Sequence, residues 1–173
     1  MPKPVLWESI IKRRMSLDNY LLLKMIHILS AAIIAGTGTG IAFFMFMASR
    51  SKNIAVIAIT ARHVVLADWV FTAPAIVVQF VSGALLMKTL GYSFTSTWFF
   101  LVITLFTFIG ICWIPVVFIQ YRLRVLADAS LITGTLSSDF TKMMRLWTVL
   151  GVPAFMSLLI IFWLMVFKPV SVL

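Results

Sequence analysis

Charged residues are scarce in this sequence. Only 11% of its 173 residues are charged and 62% are hydrophobic, whereas a soluble domain carries about a quarter charged residues. This deficit excludes a soluble globular domain. The chain is therefore a membrane protein, and the lipid bilayer is its first expected partner.

Cysteine, histidine and acidic residues are also few. The single cysteine, Cys112, excludes an intrachain disulfide and a cysteine-based metal cluster, and packing is its simplest role. The only histidines are His27 and His63. The 14 lysines and arginines outnumber the 5 acidic residues, but in so apolar a chain such cations mark the ends of membrane helices. Nucleic acid is not an expected partner.

Four apolar runs are long enough to cross a bilayer, which takes about 20 residues. They cover residues 20–48, 64–87, 99–119 and 146–167. Helices are expected because they satisfy their own backbone hydrogen bonds in lipid. The sequence predicts an all-α fold, a polytopic bundle of four transmembrane helices over residues 20–169. Residues 1–19 form a basic N-terminal flank, for which an interfacial helix is one interpretation.

Positively charged residues do not fix the orientation of this bundle. The 14 lysines and arginines divide evenly, with seven near each side of the membrane. A start at Met15 instead of Met1 would leave three against seven. The first run is too long for a cleavable signal peptide, so we expect it to stay in the protein as a helix.

Two of the runs carry polar side chains that a bilayer penalises. An ionisable residue at the centre of a span costs about 2.5 to 3.5 kcal/mol on insertion scales, so an interior partner or a function is expected. Lys24 and His27 lie three residues apart on one helix face. The second run has a polar seam at helical spacing, made of Asp68, Thr72, Gln79 and Ser82.

The seam is expected to face protein, where Asp68 would meet a hydrogen-bond donor from His63, Thr37 or Thr104. Helix glue is the alternative role of such a seam. Likewise, Gly36-x-x-x-Gly40 usually indicates close contact between helices. A face without side chains can also accept a flat cofactor.

In the simplest register of the first two helices, the two histidines lie too far apart to bind one haem. If the first two helices turn near residues 50 and 51, His27 lies opposite Pro74, about 16 Å from His63 along the bundle. Three alternatives remain. His27 is the lone protein imidazole, or His27 and His63 serve two separate sites near opposite faces, or protomers share a site.

Four segments carry a resemblance to a known family. They read YLLLKMIHILSAAIIAGTGTGIAFFMF, ARHVVLADWVFTAPAIVVQFVSG, CWIPVVFIQYRLR and IFWLMVFKP. Together they resemble the bacterial integral membrane family called domain of unknown function 2269, over residues 20–169. This resemblance implies a multi-pass protein of the bacterial cytoplasmic (inner) membrane.

The first helix alone is similar to a second group of proteins. The pattern Tyr20-Leu-x-Leu-Lys24-x-x-His27 resembles the first helix of HemJ-type protoporphyrinogen oxidases, which bind haem b, and of CopD-type copper-resistance membrane proteins. The resemblance implies that His27 is a haem ligand and that Lys24 lies near a haem propionate. Small residues such as Ala31 and Gly38 would then accept the porphyrin.

Three hypotheses about function follow. The first is a membrane redox protein with b-type haem, an oxidoreductase that passes electrons to a quinone or oxidises another hydrophobic small molecule. The second is a small transport or metal-handling module in which Asp68, Gln79, His27 and His63 line a path. The third is a non-catalytic subunit or scaffold. Small residues at Gly83 and Gly110 favour a homodimer in each case.

Overall fold

The computed structural model describes the backbone of residues 5–167 and the side chains of residues 17–167. The helices are α1 (Val5–Ser51), α2 (Ile54–Ala67), α3 (Ala73–Leu90), α4 (Thr97–Thr133) and α5 (Ser138–Phe167). A π-helical turn, Asp68–Thr72, joins α2 to α3, so the two form one continuous span. The predicted all-α bundle of four membrane-crossing helices is confirmed.

The first helix continues well before the predicted span. Helix α1 begins at Val5 and runs without a break to Ser51, and the interfacial position considered for the basic flank stays a prediction. Residues 1–4 of the predicted basic flank lie outside the described residues.

Glycines and short polar side chains define the helix ends. Asn53 Oδ1 accepts two backbone N–H groups in the first turn of α2, at 3.0 and 3.3 Å. Ser96 Oγ accepts a backbone N–H of α4 at 3.3 Å. Helices α3 and α4 end at Gly91 and Gly134, whose φ angles of 67° and 72° are left-handed and suit glycine.

The helices are longer than a bilayer requires. With 37 residues, α4 measures about 55 Å, whereas the hydrocarbon core of a bilayer is about 30 Å thick. Apart from residues 5–19 at the start of α1, the extra length lies at one end of the bundle, where α1 ends, α2 begins, α4 ends and α5 begins. We call this the projecting end, because these segments extend past the hydrocarbon.

The larger apolar core lies toward the projecting end. It comprises Ile41, Met45, Ala48, Ile57, Ala58, Ala61, Val64, Val116, Ile119, Leu123, Ala127, Phe140 and Trp147. An ion pair between Arg62 Nη2 and Asp128 Oδ1, 2.9 Å apart, also joins α2 to α4 there. All four membrane-crossing helices contribute to this core, so it is the part of the bundle that holds them together.

The opposite end of the bundle has a smaller core. Met87, Trp98 and Leu164 are buried against one another, and the Trp98 indole N–H donates to the backbone oxygen of Leu164 at 2.9 Å. The rings of Phe80 and Phe106 stack with centroids 6.1 Å apart and link α3 to α4. Between α1 and α3, hydrogen bonds between side chains also join the helices.

Candidate functional site

The first polar group lies between α1 and α3. Ser82 Oγ is 2.9 Å from His27 Nδ1, and Gln79 Nε2 is 3.0 Å from His27 Nε2. Ser30, three residues after His27, donates to Gln79 Oε1 at 2.5 Å. We call these four residues the His27 cluster. Their spacing of three residues on each helix puts each pair on one face, so the two faces meet.

The hydrogen bonds of the His27 cluster run in one consistent direction. Gln79 Oε1 accepts from Ser30, so the Gln79 amide N–H donates to His27 Nε2. This network assigns the hydrogen to Nδ1, which donates to Ser82 Oγ. The Ser82 hydroxyl then donates to the backbone oxygen of Val78 at 2.6 Å. With a neutral imidazole, each of the four side chains thus takes part in at least one hydrogen bond.

A glycine on α3 makes room for the imidazole ring. A Cβ at Gly83 would lie 3.1 Å from His27 Cε1, which is closer than ordinary van der Waals contact. A glycine here lets the two helices approach each other closely. Gly83 therefore packs within the chain, and the homodimer for which it was considered stays a prediction.

In this conformation, haem binding by His27 would require one of its hydrogen bonds to open. An imidazole binds iron through a free ring nitrogen lone pair, but both ring nitrogens of His27 are engaged by Gln79 and Ser82. Lys24 Nζ lies 5.9 Å from the centroid of the Tyr20 ring. No atom lies within 4 Å of a Cβ built at Gly38, and Ala31 is half-buried. The haem site on His27 stays a prediction.

The two histidines lie far apart, as predicted, although the predicted register was wrong. His27 faces Ser82, eight residues beyond Pro74. The helices turn later than assumed, since α1 ends at Ser51 and α2 begins at Ile54, and the π-helical turn adds a residue. His63 is exposed and is 19 residues from Ser82 along the second span, about 28 Å.

The second polar group surrounds the π-helical turn. Asp68 and Thr72, the first and last residues of the turn, are 5% and 6% exposed. Gln120 and Trp113 on α4 approach the Asp68 carboxyl group from across the bundle. We call these four residues the Asp68 cluster. The prediction that the seam faces protein is confirmed for Asp68, Thr72 and Ser82, which are all buried.

The Asp68 cluster is not closed by hydrogen bonds. Asp68 Oδ2, Thr72 Oγ1 and Trp113 Nε1 are buried without a hydrogen-bond partner, although Thr72 and Trp113 both approach the carboxyl group. Buried polar atoms are normally paired, and each exception requires a physical explanation. The π-helical turn is a second unusual feature, because π-bulges in α-helices are frequently found at functional sites.

The donors predicted for Asp68 were wrong. The neighbours of its carboxyl group are Thr72, Gln120 and Trp113, rather than His63, Thr37 or Thr104. His63 lies five residues before Asp68, on the exposed side of α2. Across the described part of the chain, no three His, Cys, Asp or Glu side chains come together as metal ligands would.

Comparison with known proteins bears on the membrane assignment. Residues 21–169 match the family model DUF2269, described as a predicted integral membrane protein. The chain belongs to this family. As a DUF2269 member with four helices long and apolar enough to cross a membrane, it is a multi-pass integral membrane protein. Neither a curated protein nor a solved structure matches the chain.

Sequence reasoning missed three polar residues of the two clusters in this DUF2269 member. Ser30 is detectable, since it lies three residues after His27 and shares its face. Gln120 stands at the end of the third predicted span, beside Tyr121 and Arg122, and resembles an ordinary boundary residue. Trp113 looked like one more lipid-facing aromatic. No local signal could have assigned either α4 residue to Asp68.

Proposed function

We propose that the protein moves protons across its membrane along the seam from Asp68 to Ser82. These residues are 14 positions apart, about 21 Å along a helix, which is roughly two thirds of a 30 Å hydrocarbon core. The observation that carries the proposal is Asp68 itself. Its side chain is buried inside the bundle, and one carboxyl oxygen has no hydrogen-bond partner.

A proton is the ligand that this carboxyl group suits best. The ion pairs among the described residues join Arg62 to Asp128 and Lys142 to Asp139, so no cationic side chain neutralises Asp68. A charged carboxylate without a cation is costly in a bilayer, and a bound proton removes that charge. Intramembrane acids accordingly mark proton relays in pumps and transporters.

Polar groups on both sides of a short apolar interval extend this route. Thr72 lies four residues after Asp68. Gln79, which belongs to the His27 cluster, lies seven residues after Thr72. Ala75 is buried between them, so about 10 Å of the seam lacks a polar side chain. Water has to bridge that interval when a proton passes, which makes it the natural place for a gate.

The test is proton flux into liposomes that contain the purified protein. An inward-negative potassium diffusion potential drives protons inward, and a pH-sensitive dye inside reports them. Wild-type protein is expected to acidify the interior, and Asp68→Asn to slow this by about tenfold or more, because the amide does not carry a proton. Asp68→Glu should retain part of the flux.

Asp128→Asn provides the matched control for this experiment. Asp128 is also an aspartate on a long helix, but its ion pair with Arg62 lies outside the seam and is partly exposed. Its flux should equal that of the wild type. Equal flux through the wild-type and Asp68→Asn proteins, or no flux through the wild type beyond that of empty liposomes, would refute the proposal.

A b-type haem on His27, serving membrane redox chemistry with a quinone, is the second candidate. One contact favours it: the Nδ1–H group is held by Ser82, and ligating histidines generally donate their second ring N–H to such a partner. His27 would bind the iron through Nε2 once Gln79 moved away. When bound, the haem would supply one-electron chemistry.

A reduced-minus-oxidised absorbance spectrum separates this candidate from the first. Protein produced with ample haem precursor should show a b-type signal that is lost in His27→Ala and kept in His63→Ala. A colourless wild-type protein would leave proton movement or a scaffold role, and the flux experiment distinguishes those two. We place the protein in the bacterial cytoplasmic membrane, where a proton gradient and quinones are both present.

A further inference from the structure

A narrow gap enters the bundle beside the Asp68 cluster. It is lined by Met45, Ala61, Val64, Gln120, Leu123 and Trp147, which come from α1, α2, α4 and α5. The gap is too narrow in this conformation to hold a water molecule. Five of its six lining residues belong to the apolar core toward the projecting end, so the gap interrupts the best-packed part of the protein.

Two polar side chains line the gap, and one of them has no hydrogen-bond partner. Trp147 is buried, and its indole N–H has no hydrogen-bond partner. Gln120 is 4% exposed, and its side chain approaches the Asp68 carboxyl group. A buried unpaired donor costs about 1 to 3 kcal/mol, and a water that enters the gap would recover part of this cost.

The gap lies at the level of a hydrated surface. Ala61 is followed by the exposed Arg62, and Leu123 lies between the exposed Arg122 and Arg124. Cationic side chains at the end of a span are found at the membrane interface. Gln120 therefore links the gap to the Asp68 carboxyl group, and the neighbouring arginines indicate that the gap lies close to the membrane interface.

From these contacts we infer that the gap is the closed state of a water access path from the projecting end to Asp68. The path opens when the helices that line it move apart. The Trp147 indole N–H and the Gln120 amide then hydrogen bond the entering water. The inference rests on the proposed function for its purpose, but the path itself can be detected without any measurement of proton flux.

Cysteine accessibility tests the path. Cys112→Ala removes the only cysteine of the chain, and Ala61→Cys or Val64→Cys then places one thiol in the gap. A membrane-impermeant methanethiosulfonate reagent reacts with the thiolate, which forms in water but not in lipid. Both thiols are expected to react about tenfold faster or more than a thiol that faces lipid.

Two matched variants calibrate the rates. Leu66→Cys lies on the same helix but is 58% exposed at the outer face of the bundle, so it represents a thiol in lipid. Lys52→Cys lies in the exposed connection between α1 and α2 and identifies the vesicles whose projecting end faces the reagent. Size-exclusion chromatography in detergent checks that every variant is folded. Two positions in the gap are tested so that the experiment still works if one cysteine variant does not fold.

The labelling rates test the access path independently of proton flux. Faster labelling of Ala61→Cys or Val64→Cys than of Leu66→Cys, slowed again when Gln120→Leu is added, supports water entry beside Gln120. Labelling of both gap thiols no faster than that of Leu66→Cys overturns it. Labelling without proton flux would support the access path and refute the proposed function. Proton flux without labelling would support the proposed function and refute the access path.

Discussion

The His27 cluster and the Asp68 cluster lie on the same membrane span, but they differ in how their polar atoms are paired. In the His27 cluster each imidazole nitrogen has a partner on α3, and Ser30 completes the arrangement. In the Asp68 cluster, the carboxyl oxygen Oδ2 and two neighbouring side-chain groups have none. Each cluster combines a titratable side chain with a hydroxyl group and a glutamine, so the pairing of their atoms is the informative difference.

This difference indicates different roles. Side chains that are hydrogen bonded to one another across two membrane helices join those helices. Unpaired buried atoms cost free energy, and natural proteins retain such costs mainly at functional sites. His27 therefore resembles a latch between α1 and α3, whereas Asp68 has the capacity to bind a proton or water.

Removal of Gln79 should have the largest effect on stability. Gln79→Leu deprives both His27 Nε2 and Ser30 of their partner, and hydrogen bonds between membrane helices contribute about 0.6 to 2 kcal/mol each. We expect a loss of about 1 to 2 kcal/mol in the free energy of unfolding. Unfolding of the detergent-purified protein in increasing sodium dodecyl sulfate measures it.

Val77→Leu is the control for Gln79→Leu, because Val77 lies on the same helix with 63% of its surface exposed. It should leave the unfolding curve unchanged. If Gln79→Leu is also as stable as the wild type, the His27 cluster does not act as a latch, and His27 would be open to the haem role.

Removal of the Asp68 carboxyl group should have a smaller effect of the opposite sign. Asp68→Leu eliminates an unpaired buried oxygen, and replacement of an unsatisfied polar group by an apolar one is often neutral or stabilising. We expect the free energy of unfolding to rise by up to about 1 kcal/mol while proton flux is lost. A marked loss of stability would show that Asp68 is a structural residue, and the comparison between the clusters would fail.

Much of the fold was predictable from the sequence because membrane helices are specified by local properties. Length and apolarity identified all four spans. The apolar runs end before the helices do, because the residues of the projecting end are more polar, yet these residues pack around Ile57, Leu123 and Phe140. A loop and a helix outside the bilayer can have the same composition, and only contacts across the bundle decide between them.

The candidate sites were predictable only one helix at a time. Helical spacing placed Asp68, Thr72 and Ser82 on one buried face. The partners of Asp68 on α4 were missed because they depend on the relative rotation and tilt of two helices, which spacing within one helix does not encode. The π-helical turn was missed for a similar reason: no residue in Asp68–Thr72 is diagnostic of a π-bulge.

The smallest expected effect concerns the glycines. In Gly83→Ala the new Cβ would lie 3.1 Å from His27 Cε1, and the ring cannot easily shift because both its nitrogens are engaged. We expect a loss of about 0.5 to 1 kcal/mol, despite the higher helix propensity of alanine. In Gly36→Ala no atom lies within 4 Å of the new Cβ, so stability should be unchanged or slightly higher. Equal stability of the two variants in the same unfolding assay would mean that the imidazole ring is free to move, and that the His27 cluster is looser than its hydrogen bonds indicate.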